Sequence, residues 1–483
     1  MPIFFADALL IFLLIFLPLA LGSVHFWSVT LFVVTAVAMF NFLVFRKDFS
    51  FRKFFSFPAV TFGLCFSGYL IFHLIPFPPG ILKLISLNTY KFYCDYSLTY
   101  PWINNWRPLS VYPWLSVFEL IKFSGYGLVF LFIVYRASLS GGGKEDGLDN
   151  RPASMTYIQL GCLTGIFAIL LHSAVDFNLH ITANAFYFTV FLALSVAIGK
   201  WQDGLDKRFI MKITDTVILT GFAVAVFSIA YKAAGNPNIY WVIKKDGWHF
   251  GPYINYDHYA GFMSMCASLA IASFMARVRY SSFFLVKGLK NKLAWFSTKE
   301  ASCALRQLFY LLVMVGSLFY SSSRGGILSF IVAVLVFFFF VIIRTKQSRR
   351  GRLLFFFILL ILLSIVVIFW IGPDVTFEKF SELNRVARAV IHEPSVLSER
   401  RPEIWSDVVK IIPGFYLTGT GFGTFPSIFP VYRTHQWGGD FLRYAHCDYL
   451  QLVTETGAIG LFFIVAFLIY FVRLYRSALR RLK

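Results

Sequence analysis

The sequence GGILSFIVAVLVFFFFVII at positions 325–343 decides the fold class, because its 19 consecutive residues include no charged side chain. A helix rises about 1.5 Å per residue, so a run of this length spans the ~30 Å of hydrocarbon in a bilayer. A second uncharged run at 353–372 follows after a short basic segment. Two such runs in succession predict a pair of transmembrane helices joined by a short turn.

The composition indicates that the rest of the chain has the same character. Of 483 residues, 58% are hydrophobic and 19% are aromatic, whereas only 14% are charged. Soluble domains carry about 25% charged residues, and disordered chains contain few aromatic ones. Both classes are excluded, and the chain is predicted to be an integral membrane protein.

Twelve mainly apolar runs are long enough to cross a bilayer as helices. They lie near 3–21, 26–45, 54–75, 113–135, 157–174, 183–199, 213–232, 257–276, 306–321, 325–343, 353–372 and 456–473. The first is expected to be a retained helix rather than a cleaved signal peptide, since no Lys or Arg precedes it and another span follows at once. The predicted fold is an all-α, polytopic membrane protein with about twelve transmembrane helices.

The distribution of Lys and Arg predicts the orientation of these helices. With the N-terminus inside, the inner segments hold 28 of the 44 Lys and Arg but only seven of the 24 Asp and Glu. Cytoplasmic segments of membrane proteins are rich in Lys and Arg, so both termini are predicted to be cytoplasmic. The net charge of +20 therefore reflects topology, and no nucleic acid partner is expected.

Two segments on the outer side are too long to be simple turns, namely 76–112 and 373–455. The first contains Tyr100-Pro101-Trp102 and Tyr112-Pro113-Trp114, which are typical of a belt at the level of the lipid headgroups. Stacking on a glycan is the alternative. We expect an N-terminal part over 1–250 and a C-terminal part over 251–483, each holding one of these segments.

The second outer segment lies before the last span and is predicted to contain three features. The spacing of its apolar residues predicts an amphipathic helix over 380–390. A further helix is expected from about Pro402 to Pro413-Gly414, because proline fits a first helical turn and the pair Pro-Gly ends a helix. A flexible glycine-rich stretch follows at 419–425.

Three arginines on the outer side are candidates for binding an anion. Arg324 lies in a turn so short that it stays at the membrane face, where a guanidinium is costly to desolvate unless it is paired. Arg400 and Arg401 lie at the start of a predicted helix, whose dipole also favours an anion. Guanidinium groups match phosphate oxygens, and Ser323 adds a donor. The alternatives are snorkelling of Arg324 and ordinary solvated charges.

His446 lies where the second outer segment returns to the last span. A histidine near its ordinary pKa suits general-base work or hydrogen bonding to a sugar hydroxyl, although a lone histidine is usually structural. Asp448 and Glu455 are nearby carboxylates that could orient His446 or an acceptor. Asp448, however, faces away from His446 if the segment is already helical.

Two further polar clusters lie at membrane depth, at 172–180 and 255–258. Asp176, Asn255, Asp257 and His258 are candidates for lining a substrate cavity, and structural pairing is the alternative. Neither cluster has a spacing typical of metal ligands, and the six cysteines form no C-x-x-C pair. With no nucleotide-binding motif either, no metal and no cofactor are predicted.

These motifs, taken in order over about 251–460, resemble the O-antigen ligase and polymerase superfamily of bacterial membrane glycosyltransferases. The residues that carry the resemblance are Gly251-Pro252-Tyr253-Ile254-Asn255-Tyr256-Asp257-His258-Tyr259-Ala260-Gly261, Ser323-Arg324-Gly325, Arg401-x-x-x-Trp405, Gly419-Thr420-Gly421-Phe422-Gly423-Thr424-Phe425 and His446-x-x-Tyr449-Leu450-x-x-x-x-Glu455-x-Gly457. Two positions depart from the common pattern, because Asp257 and Cys447 stand where many members carry Asn.

The resemblance implies a GT-C-like enzyme of the bacterial inner membrane that is active on the periplasmic face without a metal or a nucleotide sugar. Such an enzyme takes a glycan from undecaprenyl diphosphate and transfers it, with inversion, to an acceptor hydroxyl. By residue match, Arg324 and Arg401 would hold the diphosphate, and His446 would contact or activate the acceptor hydroxyl.

The acceptor implied is a lipid A–core sugar, as in an O-antigen ligase. A polymerase of O-antigen or exopolysaccharide and a transferase to protein hydroxyls are alternatives with the same chemistry. A flippase or transporter of a lipid-linked glycan is the alternative from another class. The long outer segment and the lack of an internal repeat favour an enzyme, since transporters place their sites between repeats.

Overall fold

The computed structural model describes residues 2–46, 49–50, 57–96, 105–139, 152–200, 204–235, 238–244, 249–279, 289–345, 347–371, 401–435 and 441–482. Arg400, the expected amphipathic helix at 380–390 and the Tyr100-Pro101-Trp102 motif lie outside these residues. The helices are α1 Pro2–Leu19, α2 Phe26–Val44, α3 Pro58–Phe72, α4 Pro79–Ile85, α5 Leu87–Tyr96, α6 Pro113–Ala137, α7 Pro152–His172, α8 Thr182–Lys200, α9 Lys207–Ala233, α10 Tyr256–Arg279, α11 Leu289–Trp295, α12 Lys299–Tyr320, α13 Arg324–Arg344, α14 Gln347–Ile371, α15 Arg401–Ile411, α16 Phe425–Tyr432 and α17 Asp448–Arg480. Short 3-10 turns lie at Leu21–Ser23, Asn178–His180 and Ile412–Phe415, and β1 Asn238–Ile239 pairs antiparallel with β2 Ile243–Lys244.

Within the described part of the chain, nine helices are long and apolar enough to cross a membrane: α2, α6, α7, α8, α9, α10, α12, α13 and α17. Three shorter apolar helices, Ile3–Leu19, Pro58–Phe72 and Leu353–Val366, occupy the positions of the other three expected spans. The all-α, multi-pass architecture predicted from hydropathy is confirmed. The count of twelve is not, because the described apolar stretches of these three helices have 17 residues or fewer.

The centre of the bundle is the antiparallel pair of α7 and α10, whose spanning stretches are 89% and 100% buried. Gly161 and Gly165 on α7 let the two backbones approach closely. A Cβ at Gly161 would lie 2.5 Å from the Cβ of Ala272, and one at Gly165 would lie 3.1 Å from the Cα of Met265. Small residues four apart are a common device for packing transmembrane helices. The pair places the end of α7 beside the start of α10.

One end of the bundle, which we call the polar end, is defined by the turns at 173–181 and 321–323. Here α7 ends at His172, α10 begins at Tyr256, and α12 gives way to α13. α17 also begins at this end, since the backbone N–H of Asp448 donates to the carbonyl of Ser173 at 2.9 Å. Polar residues distant in sequence therefore meet at this end.

The opposite end of the bundle holds both termini of the helical core. The guanidinium of Arg136, at the end of α6, lies 3.0 Å from Asp7 Oδ1 and 2.7 Å from Asp206 Oδ2. After α17, Arg481 donates to the carbonyl of Gly199 at 3.3 Å. The first helix therefore begins, and the last helix ends, at the end away from the polar end.

The two long segments between spans pack together as a cap, formed by α4, α5, α15, α16 and the loop between α15 and α16. The N–H of Val111 donates to the carbonyl of Thr420 at 2.8 Å, and Asn88 Nδ2 donates to the carbonyl of Gly414 at 3.0 Å. The cap has a small core of its own, made of Val111, Ile404, Val408, Ile411, Phe415, Phe425, Ile428, Phe429 and Ala445.

The glycine-rich stretch of the cap, expected to be flexible, is packed on both sides. Gly419, Gly421 and Gly423 all have positive φ, between 74° and 109°. A Cβ at Gly419 would lie 2.3 Å from the backbone of Glu455, and one at Gly421 would lie 2.5 Å from Ser110 Oγ. The glycines are therefore required by conformation and by close contact with the two neighbouring segments.

Candidate active site

Four helices begin at the polar end and contribute charged residues from their first turns. Asp257 lies in the first turn of α10, while Arg324, Arg401 and Asp448 are the first residues of α13, α15 and α17. The first N–H groups of a helix lack intrahelical partners, and the helix dipole adds partial positive charge there. The polar end is therefore suited to negative charge beyond what its side chains provide.

Asp257 joins three of these helices, although it is only 7% exposed. Its Oδ1 accepts a hydrogen bond from Ser323 Oγ at 2.5 Å, and its Oδ2 lies 3.5 Å from Arg401 Nη2. Ser323 also caps α13, since its Oγ accepts from the N–H of Gly326 at 3.2 Å. Asp257 therefore fixes the turn before Arg324 and the start of α15 relative to α10.

Asn255 lies in the same region, and its side-chain amide binds the backbone of its own segment. Its Oδ1 accepts from the N–H of Asp257 at 2.8 Å and so satisfies one free donor at the start of α10. This is the bond expected of a side chain just ahead of a helix. Asn255 therefore positions Asp257.

Arg324 follows directly after Ser323 and is half-buried. Ser322, two residues before Arg324, has a φ of +63°, a backbone conformation that residues other than glycine rarely adopt. The two glycines after Arg324 are used for packing on the central pair of helices. A Cβ at Gly325 would lie 3.1 Å from His172 Cδ2, and one at Gly326 would lie 2.4 Å from Ala260 Cβ.

Asp176, in the turn between α7 and α8, is fully buried and lies between two histidines. Its Oδ2 is 3.7 Å from His258 Nε2, and its Oδ1 is 3.8 Å from His446 Nδ1. Burial alone raises the pKa of Asp176, but the His258 and His446 rings outweigh burial and hold it well below its usual value. The histidines around Asp176 therefore favour its charged form.

His446 is held in a strained conformation by its neighbours. Its φ is +51°, and the residue before it is fixed from both sides. The carbonyl of Ala445 accepts from Trp405 Nε1 at 3.0 Å, and the N–H of Ala445 donates to Gln451 Oε1 at 3.0 Å. Phe177 packs edge-on against the imidazole, with ring centroids 4.9 Å apart. Such strain persists only where the surroundings impose it, and it is frequent at functional sites.

Asp448 binds His180 and Leu179 rather than His446. The reason expected from the sequence, a helix that already includes His446, does not apply, because α17 begins only at Asp448. Its carboxylate lies 2.6 Å from His180 Nδ1 and accepts from the N–H of Leu179 at 2.9 Å. Burial lowers the pKa of His180, but the hydrogen bond to Asp448 and the negative charge of nearby carboxylates together raise it more, so the net shift is upward. Asp448 thus fixes the start of α17 on the 178–180 turn.

Glu455 lies about two turns further along α17 and is fully buried. Its carboxylate accepts from the N–H groups of Gly423 at 2.7 Å and Phe425 at 3.1 Å, and from Gln451 Nε2 at 3.0 Å. These three bonds hold the glycine-rich loop of the cap against α17. The carboxylate of Glu455 is therefore engaged by the cap.

Two contact groups thus emerge from the candidate residues. Asp257, Ser323 and Arg401 form the first, and Asp176, His258 and His446 form the second. They adjoin because Asp257 and His258 are consecutive. His172 and His180 also lie at the polar end. One signal in the sequence indicated them, namely their position in the polar cluster at 172–180. In the described ranges, no three His, Cys, Asp or Glu residues are arranged to hold a metal ion.

Comparison with known proteins bears on the C-terminal part of the chain. Residues 309–465 match the family model described as O-antigen ligase. No curated protein and no solved structure matches the chain. The matched range contains Arg324, Arg401 and His446, whereas Asp176 and Asp257 lie before it. The chain is thus a multi-pass membrane protein whose residues 309–465 are similar to the O-antigen ligase family, in line with the resemblance of its motifs.

Proposed function

We propose that this protein is a membrane glycosyltransferase that moves a glycan from undecaprenyl diphosphate to an acceptor hydroxyl at the polar end. The observation that carries the proposal is the meeting of three elements at this end. They are the Ser323–Arg324 turn, Arg401, and His446 with its buried partner Asp176. Together they offer a cationic site for a leaving group and a base for an acceptor.

The donor half of the site is suited to a diphosphate. Arg324 and Arg401 are both first residues of helices, so each lies at the positive end of a helix dipole, which favours an anion. Guanidinium groups bind phosphate oxygens in a bidentate manner. At 3.5 Å, the contact of Arg401 with Asp257 is long for a hydrogen bond and leaves donors of Arg401 for a ligand.

The acceptor half of the site is suited to activating a hydroxyl. The side chain of His446 is 27% exposed, so the ring can be reached from the polar end. The acceptor oxygen bonds to the anomeric carbon while its proton passes to the imidazole. The bond from that carbon to the phosphate oxygen breaks, and its electron pair leaves with undecaprenyl diphosphate. The two arginines stabilise this growing negative charge, so the leaving group needs no proton.

The same geometry supports an orientation in the membrane. With the three shorter apolar helices also crossing, the chain spans twelve times, as we propose for the GT-C-like enzyme that the family resemblance implied. The termini of the core lie opposite the polar end, and the inner segments are rich in Lys and Arg. The termini are then cytoplasmic, and the site faces the periplasm of a bacterial inner membrane.

We propose a lipid A–core sugar as the acceptor, which makes the reaction that of an O-antigen ligase. The test uses purified protein in nanodiscs with a synthetic undecaprenyl-diphosphate oligosaccharide. Lipid A–core, a polysaccharide repeat and a serine-containing peptide are supplied in turn. We expect release of the carrier in step with glycosylation of lipid A–core. Transfer only to the repeat or to the peptide would reassign the acceptor, and no transfer to any of them would refute the proposal.

A further inference from the structure

We infer that Asp176 is the positioning residue of His446. It holds the imidazole through Nδ1 and so directs Nε2, on the other side of the ring, towards the acceptor hydroxyl. The inference rests on the proposed function, since it assumes that His446 is the general base. Asp176 lies outside the segment that matches the O-antigen ligase family, so only the folded chain brings the two residues together.

The first support is a pair of buried polar atoms that face each other. Asp176 Oδ1 and His446 Nδ1 are both buried, and neither makes a hydrogen bond to another described residue. They lie 3.8 Å apart. A buried polar atom without a partner is costly, and catalytic hydrogen bonds are often long before the substrate is bound. An approach of about 1 Å would convert this contact into a hydrogen bond.

The second support is that the carboxylate of Asp176 is oriented by other residues. Its Oδ2 accepts from Asn178 Nδ2 at 3.2 Å. Asn178 is held in turn by Asn184, whose Nδ2 lies 3.1 Å from Asn178 Oδ1 and 2.9 Å from the carbonyl of His258. Gly261 makes room for this chain of amides, because a Cβ there would lie 2.2 Å from Asn178 Oδ1. The chain of amides leaves Oδ1 directed at His446.

The third support is that the other candidates for this role are engaged elsewhere. The carboxylate of Asp448 binds His180 and Leu179, and that of Glu455 binds the glycine-rich loop. His258 also faces Asp176, but it is 5% exposed and lies on the side of Oδ2, where Asn178 already donates. Of the two histidines beside Asp176, His446 is the one that an acceptor can reach.

The chemistry that follows needs no change in the protonation of Asp176. The carboxylate accepts the Nδ1–H bond and so fixes the tautomer in which Nε2 is the base. When Nε2 takes the acceptor proton, the ring becomes an imidazolium, and the adjacent carboxylate stabilises it. This is the division of roles found between aspartate and histidine in hydrolase triads.

The test compares Asp176→Asn, Asp176→Glu, His446→Ala and the double variant Asp176→Asn/His446→Ala in the nanodisc assay. We expect Asp176→Asn to lower kcat by ~10²–10⁴-fold, with the donor KM changed by less than about threefold. Asp176→Glu should recover part of the rate. The double variant should be no slower than His446→Ala alone, because both changes remove one function. Losses that multiply in the double variant would show an independent role for Asp176 and overturn the inference.

The control variant is Asp448→Asn, which breaks the buried pair with His180. It should lower thermal stability. His446→Ala should reduce kcat by the same factor in the Asp448→Asn background as in wild type. If Asp448→Asn instead gave the non-additive pattern, the positioning role would belong to Asp448.

A second measurement separates this inference from the proposed function, because it needs no turnover. It reads the tautomer of the His446 imidazole from the ¹⁵N NMR shifts of histidine-labelled protein in nanodiscs, with His446→Ala used to assign the signal. We expect the wild-type ring to carry its proton on Nδ1, because Asp176 accepts from it, and Asp176→Asn to lose this preference. The same tautomer distribution in both proteins would overturn the inference. A lost preference in a protein without transferase activity would leave the contact standing and refute the proposed function.

Discussion

Ser323 Oγ donates a hydrogen bond of 2.5 Å to Asp257 Oδ1, and this bond ties the turn that carries Arg324 to the start of α10. The second carboxylate oxygen of Asp257 lies 3.5 Å from Arg401 Nη2. A buried negative charge thus lies beside the donor site proposed for a diphosphate. It orders the site in the free protein, but it also competes with the phosphate groups for Arg401.

Asp257→Asn tests this competition. Asparagine can still accept the bond from Ser323, but it removes the charge that attracts Arg401 and repels a diphosphate. We expect the donor KM to fall by about fivefold, which corresponds to ~1 kcal/mol for one weak ion pair. Steady-state kinetics with varied donor measure it. Asp448→Asn is the control, because its partner is His180. A higher donor KM in Asp257→Asn would mean that Asp257 helps to bind the donor.

Arg324→Lys and Arg401→Lys test the geometry of the diphosphate contact. Lysine keeps the charge but loses the planar, bidentate fork of the guanidinium. We expect each Lys variant to lose transfer by at least ~10²-fold, at normal protein level, and each Ala variant to lose it completely. Initial rates of carrier release measure the loss. Arg443→Ala is the matched control, since Arg443 is exposed in the same segment. Full activity in either Ala variant would refute the arginine clamp.

Glu455→Gln tests whether this buried carboxylate acts on the fold or on a substrate. The change replaces one carboxylate oxygen by an NH2 group, which cannot accept a hydrogen bond from the glycine-rich loop. We expect a loss of about 1–3 kcal/mol of stability, the usual cost of breaking a buried hydrogen bond to a charged group. Thermal unfolding in nanodiscs measures it, with the exposed Glu403→Gln as control. Unchanged stability together with lost transfer would give Glu455 a substrate role.

The pair of His180 and Asp448 predicts a pH dependence of stability. The pKa of His180 is raised in the folded state, so the contribution of the pair is fully present below the unfolded value of about 6.5. It is lost as the pH rises through the folded pKa. We expect the midpoint of thermal unfolding to fall in wild type as the pH rises above about 6.5. The fall should be smaller in His180→Gln. An equal fall in both proteins would assign the dependence to another group.

Hydropathy was sufficient to predict the class of fold, because a span is a local property of the sequence. It located the nine long helices and placed further runs where the structure has α1, α3 and α14. Hydropathy did not separate long from short helices. Apolar residues after a helix end, such as Leu74 and Ile75 after α3, lengthen the predicted run without being helical. Ile3–Leu19 and Pro58–Phe72 are shorter than the runs predicted for them.

The candidate residues could be predicted from local signals, but their partners could not. Arg401 precedes a proline in a helix start, and that pattern is visible within a few residues. His180 and Asp448 are 268 positions apart, and nothing in the sequence indicates that they pair. The pairing of Asp176 with His446 is equally remote. The prediction that the glycine-rich stretch is flexible is wrong, because its partner Glu455 lies on α17, beyond α16, and a local pattern does not indicate this contact.

The most direct test of the central claim is to measure donor binding in Arg401→Ala and His446→Ala alongside their turnover. Equilibrium titration of nanodisc-embedded protein with a fluorescent undecaprenyl-diphosphate oligosaccharide gives the Kd. We predict that Arg401→Ala loses both binding and transfer, whereas His446→Ala binds the donor with a Kd within about threefold of wild type and fails to transfer it. Weak donor binding in His446→Ala together with normal binding in Arg401→Ala would contradict the assignment of the two halves of the site.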